Sequence, residues 1–158
     1  MEKGGGDMEL LWTRLNGQTG HEAAYALLAQ AVGDLPKICY TDRGKPFFPE
    51  KDLHFSISHT KNHAFCAVSH QNIGIDAEET DRKVRLHLAD RYLSPAEKAR
   101  FDAAENKAAA LLRLWVLKES YAKLTGRGLG DYLKNTDFDP EDPRIQIIDG
   151  CFVAVMEE

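Results

Sequence analysis

No apolar run in this chain approaches the ~20 residues a membrane-spanning helix needs, so no helical span is expected. Cysteine is scarce: Cys39, Cys66 and Cys151 stand far apart, with no Cys-x-x-Cys pair. That speaks against a disulfide framework and against a structural zinc site. Each cysteine lies in a strand-like apolar run, so buried thiols are expected. Positive charge is also in short supply, with 20 Lys and Arg against 25 Asp and Glu and a net charge of -5. The chain as a whole is therefore not expected to bind nucleic acid. Repeats and low-complexity tracts are absent. The Gly-rich, acidic stretch Met1–Asp7 has no apolar segment of the kind a secretory signal carries. It reads as a loose leader, and a cytoplasmic location is expected.

What is present suits a globular protein. The 158 residues are 43% hydrophobic and 28% charged, enough for one compact unit or two small halves sharing a core. Charge is uneven along the chain. Residues 81–113 hold eight basic against five acidic side chains, and residues 134–158 hold two against seven. The basic section could dock an acidic partner, although a solvated helical surface is the plainer reading.

Apolar spacing predicts the elements. Met8 to Leu15 reads as a strand. Thr19-x-x-Glu22 is a capping-box pattern for a helix with Ala24, Leu27, Leu28, Ala31 and Val32 on one face, ending at Gly33. Leu35 to Tyr40 is extended, and Asp42 to Pro46 is turn chemistry. Leu53, Phe55 and Ile57 alternate with His54, Ser56 and Ser58, which predicts a strand with one wet face. Two more strands follow at 64–69 and 72–78. Helices are expected over 83–92, after the Ser94-Pro95-Ala96-Glu97 start signal, and over about 106–125, closed by Gly126. Two apolar runs around Asp149-Gly150 predict a terminal hairpin. The pattern is α+β with mostly antiparallel strands.

Three elements carry candidate chemistry. In Ile73-Gly74-Ile75-Asp76-Ala77-Glu78, alternation puts the aliphatics on one strand face and Asp76 and Glu78 on the other. Two carboxylates side by side repel unless a cation joins them, and Mg²⁺ takes one or two carboxylates while bridging phosphates. A bare Asp-x-Glu is nevertheless common, and by itself it is more often a solvated strand face. On the long helix, Trp115, Glu119 and Lys123 form one stripe at i, i+4 and i+8. The plain alternative is an intrahelical pair worth only ~0.3–0.5 kcal/mol. Third, Ser56-Ile57-Ser58-His59-Thr60 at a strand end, preceded by Gly44-Lys45-Pro46, offers hydroxyls, an imidazole and an amine to phosphates. His59 and His63 have a His-x-x-x-His spacing that ligates metal only on a helix, and this segment reads as strand, so zinc is rejected.

Together and in this order the elements resemble the 4'-phosphopantetheinyl transferase superfamily, particularly the type that activates surfactin synthetase. Gly74 to Glu78 is similar to the family's G-I-D-[IV]-E run, and Trp115 to Leu129 to its W-[TS]-x-K-E-[AS]-x-x-K-x-x-G-x-G-L. Phe55 to Thr60 resembles its F-N-I-S-H-[ST], and Gly44 to Pro46 its G-[KR]-P. Arg91-Tyr92-Leu93-Ser94 with Glu97 resembles the step between the acidic strand and the long helix. The similarity covers roughly residues 44–129.

The resemblance implies a pseudo-twofold α+β fold of two similar halves, 1–72 and 73–158, with coenzyme A in the cleft between them. It implies Mg²⁺ held by Asp76, Glu78 and Glu119, and phosphate contacts from Lys45, Ser58, His59 and Lys123, with Lys118 a weaker candidate. The implied reaction moves 4'-phosphopantetheine from coenzyme A to a serine of an apo carrier protein, with Glu119 and Lys123 catalytic. A monomer is expected, because one chain appears to supply both walls of the cleft. The alternatives are an inactive homologue that only binds, or another Mg²⁺-dependent phosphoryl-transfer enzyme. Two departures stand out. Ser56 replaces the usual Asn, and the helix from His21 to Val32 carries no Lys or Arg. Recognition of the coenzyme A 3'-phosphate then falls to Arg14, Lys37 or Arg43.

Overall fold

The computed structural model describes residues 8–128, 130 and 134–158. The Met1–Asp7 leader and Leu129, the last residue of the long-helix motif, lie outside them. The chain runs β1 (Glu9–Arg14), α1 (Gly20–Val32), β2 (Cys39–Tyr40), β3 (Pro46–Phe47), β4 (His54–His59), β5 (His63–Ser69) and β6 (Ile73–Glu79). It continues with α2 (Leu88–Tyr92), α3 (Pro95–Ala103), α4 (Lys107–Thr125), β7 (Ile145–Ile148) and β8 (Cys151–Glu157). The fold is α+β, and the strand pairings among the described residues are antiparallel.

Two three-stranded sheets form the frame, one ordered β1-β5-β4 and the other β6-β8-β7. Strand β5 is buried along its whole length because its two faces serve different cores. Ala64, Cys66 and Val68 pack under Ala24, Leu27 and Leu28 of α1, with Phe48 and Phe55. Phe65 and Ala67 point the other way, against Ile73, Ile75 and Ala77 of β6 and Val153 of β8. A run apolar at every position is what a strand sandwiched on both faces requires.

Helix α1 starts where the Thr19 hydroxyl accepts from the Glu22 N–H at 3.1 Å, and it stops at Gly33, whose φ is 80°. Helix α4 starts at Asn106, whose side chain accepts from the Ala109 N–H, and it ends at Gly126 in the left-handed region. It is apolar nearly all round because it is packed from two sides. Leu112, Val116, Leu117 and Leu124 meet Phe152, Ala154 and Met156 of β8. Ala110, Leu111 and Leu114 meet Ala89, Leu93 and Phe101 of α2 and α3.

One element differs from expectation. Only Leu88–Tyr92 of the stretch 83–92 is helical. Val84 packs into the clusters around α4, and residues 83–85 are irregular before a turn at 86–87 leads into the helix. Among the described residues no helix is long and apolar enough to cross a membrane.

Candidate functional site

The site forms where α4 crosses β6. Gly74 sets that crossing: a Cβ there would lie 2.1 Å from the Ser120 carbonyl oxygen and 2.6 Å from the Leu124 nitrogen. Helix and strand backbones therefore touch, and the face of β6 that carries Gly74, Asp76 and Glu78 lies beneath α4. The alternation read from the sequence is present, but this face is not a solvated one. Asp76 is buried and Glu78 half-buried.

The neighbouring wet face expected for β4 is dry for a related reason. The Ser56 hydroxyl accepts from the Ile75 N–H at 3.0 Å, and the Ser58 hydroxyl accepts from the Ala77 N–H at 3.2 Å. These two serines satisfy amides on the edge of β6 that faces away from β8. Ser58 also donates to Asp76 Oδ1 at 3.3 Å. It is buried and committed to β6 and Asp76, so it is a positioning group here and not an open phosphate contact as expected.

Asp76 Oδ1 receives a second donor, Lys123 Nζ, at 3.2 Å, and the same ammonium donates to the Ile57 carbonyl at 3.1 Å. Asp76 Oδ2 is buried and accepts no hydrogen bond from any described residue. A buried carboxylate oxygen left without a donor is costly unless a cation meets it. Burial raises the Asp76 carboxyl, with Lys123 and Ser58 opposing. Burial also raises Glu78, which is paired with Arg82. Burial, the Asp76 charge and the Glu78 charge push the Glu119 carboxyl up to about 7, with Lys123 opposing. Three carboxylates are thus close enough to destabilise one another's ionised forms. They supply oxygen donors alone, and one has an orphaned buried oxygen. The residues present fit a hard divalent cation such as Mg²⁺.

Glu119 and Lys123 also line a cavity of about 390 Å³ between the two sheets' elements. His21 and Tyr25 of α1, Tyr40, Arg43 and Lys45 of the β2–β3 hairpin, and Gly126 after α4 form its remaining walls. Arg43 donates to the Arg127 carbonyl at 2.7 Å, which holds its guanidinium at the rim. Lys45 Nζ donates to the Leu124 carbonyl at 2.8 Å and to Asn72 Oδ1 at 2.7 Å. An ammonium at the C-terminus of α4 is favourably placed against the helix dipole, and burial lowers the Lys45 pKa.

Two expected phosphate contacts fall elsewhere. His59 is exposed and does not line that cavity, but it shares an adjoining groove with Glu78 and Arg82. Lys118 is fully buried on another side of α4, with Nζ 2.6 Å from Glu97 Oε1. Glu97 is also fully buried; it closes the α3 capping box and accepts from Thr136 and the Phe138 N–H. Lys118 therefore neutralises a buried carboxylate, which corrects its assignment to coenzyme A. Arg14 is tied to Asp149 at 2.6 Å, while Arg43 lines the cavity. The sequence reading missed His21 and Tyr25 as wall residues. Their rings pair at 4.6 Å, and their i, i+4 spacing was the available signal.

Comparison with known proteins identifies the family. The family model of the 4'-phosphopantetheinyl transferase superfamily matches residues 72–150, half of the chain. A 4'-phosphopantetheinyl transferase of Bacillus subtilis is 34% identical over 123 residues, covering 72% of this chain and 54% of that protein. The 4'-phosphopantetheinyl transferase Sfp of Bacillus subtilis (strain 168) is 38% identical over 89 residues, 54% of this chain and 39% of its own. The 4'-phosphopantetheinyl transferase HetI of Nostoc sp. is 39% identical over 101 residues, 59% and 43% respectively. The chain belongs to the 4'-phosphopantetheinyl transferase superfamily. It spans about half the length, or less, of these curated relatives.

Proposed function

We propose that this chain transfers the 4'-phosphopantetheine moiety of coenzyme A to a serine of an apo carrier protein, acyl, peptidyl or aryl, and releases 3',5'-ADP. The observation that carries the reading is the unpartnered, buried Oδ2 of Asp76, set among Glu78, Glu119 and Lys123 beside a cavity of about 390 Å³. Asp76, Glu78 and Glu119 would hold Mg²⁺, which when bound neutralises pyrophosphate charge. Residues 1–72 and 73–158 act as two halves that wall one cleft, possible within a monomer. A cytoplasmic location suits these substrates.

The serine oxygen forms a bond to the phosphorus that bears the pantetheine. The bond from that phosphorus to the bridging oxygen breaks, and the electron pair leaves on 3',5'-ADP. Of the three carboxylates, Glu119 faces the cavity, and its carboxylate would take the serine proton. Lys123 lies between the Asp76 carboxylate and the cavity and offsets charge on the departing phosphate. Ser58 keeps Asp76 oriented. Arg43 and His21, on the cavity wall, are placed to meet the 3'-phosphate that the non-basic α1 leaves without a lysine.

Intact mass of apo carrier proteins, after incubation with the chain, coenzyme A and Mg²⁺, tests the proposal. A gain of one phosphopantetheine group that disappears on chelation is expected. Coenzyme A binding by calorimetry with no mass gain on acyl, peptidyl or aryl carriers would show a binding homologue instead.

A further inference from the structure

On the far side of β6 from α4, three strands bring together side chains of different chemistry. His63 opens β5, Glu79 closes β6 and Cys151 opens β8. One ligand-type atom from each lies within 4.8 Å of the others. His63 Nδ1 is 3.1 Å from Glu79 Oε1 and 3.4 Å from Cys151 Sγ, and that sulfur is 3.6 Å from Glu79 Oε2. His63 and Cys151 are buried.

The second nitrogen of the ring is spoken for. His63 Nε2 lies 2.8 Å from Asp149 Oδ2, and Arg14 grips Asp149 through two bonds of 2.6 and 2.7 Å. Asp149 has a φ of 46°, the left-handed backbone of a tight Asp-Gly hairpin turn. One turn thereby delivers Asp149 to one edge of the ring and Cys151 to the other.

A carboxylate on Nε2 retains the proton there and leaves the Nδ1 lone pair aimed at Glu79, another acceptor. Two acceptors 3.1 Å apart repel unless a proton or a cation lies between them. The sulfur lies 3.4 Å from the same nitrogen, and its thiol makes only a long contact, 3.6 Å, to Glu79 Oε2. A tetrahedral zinc-type ion, with bonds of about 2.3 Å to sulfur and about 2.0–2.1 Å to nitrogen and oxygen, spaces its ligand atoms about 3.3–3.6 Å apart. The His63–Glu79 and His63–Cys151 spacings are close to these, and Cys151 meets the other oxygen of the same carboxylate at 3.6 Å, so Glu79 spans the site with both its oxygens. A carboxylate on the outer nitrogen of a ligating histidine is a common support for such a site. The Thr60 hydroxyl donates to Glu79 Oε1 at 2.9 Å and orients the third ligand.

We propose that His63, Glu79 and Cys151 bind one divalent ion of the zinc class, with Asp149 and Arg14 as the supporting outer shell and solvent in the fourth position. This site is separate from the Asp76 cluster and differs in donor chemistry, since sulfur and imidazole select zinc over magnesium. It ties β5 of one sheet to β6 and β8 of the other. It departs from the expectation drawn from the dispersed cysteines, while His59 has no part in it. A thiolate ligand requires loss of the thiol proton, so binding should release it to solvent.

Cobalt(II) titration of the full chain in excess Mg²⁺ tests the proposal, because a thiolate-to-cobalt charge-transfer band reports the sulfur ligand alone. One equivalent should give the band, zinc should bleach it, and Cys39→Ser should leave it intact. Cys151→Ser should abolish it, and Asp149→Asn should weaken binding about 10–100-fold. No band on the folded parent chain, or a band that survives Cys151→Ser, overturns the site. Should Cys151→Ser fail to fold, His63→Gln serves in its place, and the parent titration still decides.

Discussion

Replacing Gly74 with alanine is the sharpest test of how the candidate site is held. Its Cβ would sit 2.1 Å from the Ser120 carbonyl oxygen and 2.6 Å from the Leu124 nitrogen. Both obstacles are backbone atoms in the C-terminal turns of α4, so no rotamer change relieves them. The helix must rise off β6, and its contacts with Phe152, Ala154 and Met156 loosen with it. Overpacking of a core typically costs about 1–3 kcal/mol, and two backbone collisions place this substitution at the top of that range or above it. For a chain of this length, about 3 kcal/mol corresponds to a fall in Tm of roughly 6–12 °C. Urea unfolding should show a lower midpoint at unchanged slope, the sign of lost stability without a changed denatured state.

Gly20→Ala supplies the matched control. Its Cβ would meet the His59 ring at 2.4 Å, nominally as tight. The His59 Cβ lies 2.6 Å away as well and does not turn with the ring, so the end of β4 must shift; that end is exposed and not core, and a smaller loss than that of Gly74→Ala is expected, partly offset by alanine's helix preference. A Gly74→Ala protein melting within about 2 °C of the parent would falsify the close crossing of α4 over β6. So would equal damage from the two substitutions. In Gly74→Ala protein kept well below its melting point, transfer should still fall, because the 3.2 Å reach from Lys123 to Asp76 depends on that crossing.

Asp76→Asn should retain the fold within about 1 kcal/mol, because it removes a buried charge of unchanged shape, yet Mg²⁺-dependent transfer should drop more than about tenfold. Lys118→Met should destabilise by about 3–5 kcal/mol, since Glu97 is then buried without its cation, while the KM for coenzyme A stays near the parent value. Adding Glu97→Gln should restore much of that stability, and a large KM effect with intact stability would return Lys118 to the site. Arg43→Ala should raise the KM for coenzyme A severalfold but not that for the analogue lacking the 3'-phosphate; equal effects on both would remove Arg43 from that role. Burial first, then the Glu9 charge, pushes the Cys66 thiol up to about 12, so it stays protonated at pH 8. A thiol reagent should then titrate Cys39 quickly in the native protein, and Cys66 only after unfolding.

Local pattern carried much of this structure, and it failed where distant segments meet. The alternation in residues 73–78 sorted side chains correctly, because a two-residue period is a property of the strand itself. It could not tell a solvated face from one covered by a helix about 45 residues further on. The one local clue was Gly74, a residue without a side chain on the same face as the two carboxylates and just ahead of them. Ser56 and Ser58 read as exposed hydroxyls for the same reason. Polar residues alternating with apolar ones look alike whether they face water or bond the edge amides of another strand. Glu119 and Lys123 were legible because i, i+4 spacing on one helix fixes their common side, and the apolar surroundings implied burial. Lys118 was not, since its partner Glu97 presents itself in sequence as half of a capping box, a motif usually exposed.

The His63, Glu79 and Cys151 group marks the limit of such reading. Its members are separated by 16, 72 and 88 positions, and no spacing rule spans those gaps. The His59–His63 pair invited a metal reading on a helical spacing that a β-hairpin does not honour. A single cysteine in an apolar strand ordinarily is no more than a small hydrophobe. Only the pairing of β6 with β8, which sets Glu79 opposite Cys151, and the reach of β5 to the same edge turn three unremarkable residues into one cluster. The Asp149-Gly150 turn was read as a hairpin closure, and it is one. Its left-handed aspartate also orients the ring of a histidine 86 positions away, so one dipeptide serves both the chain reversal and the electrostatics of the joint between the sheets.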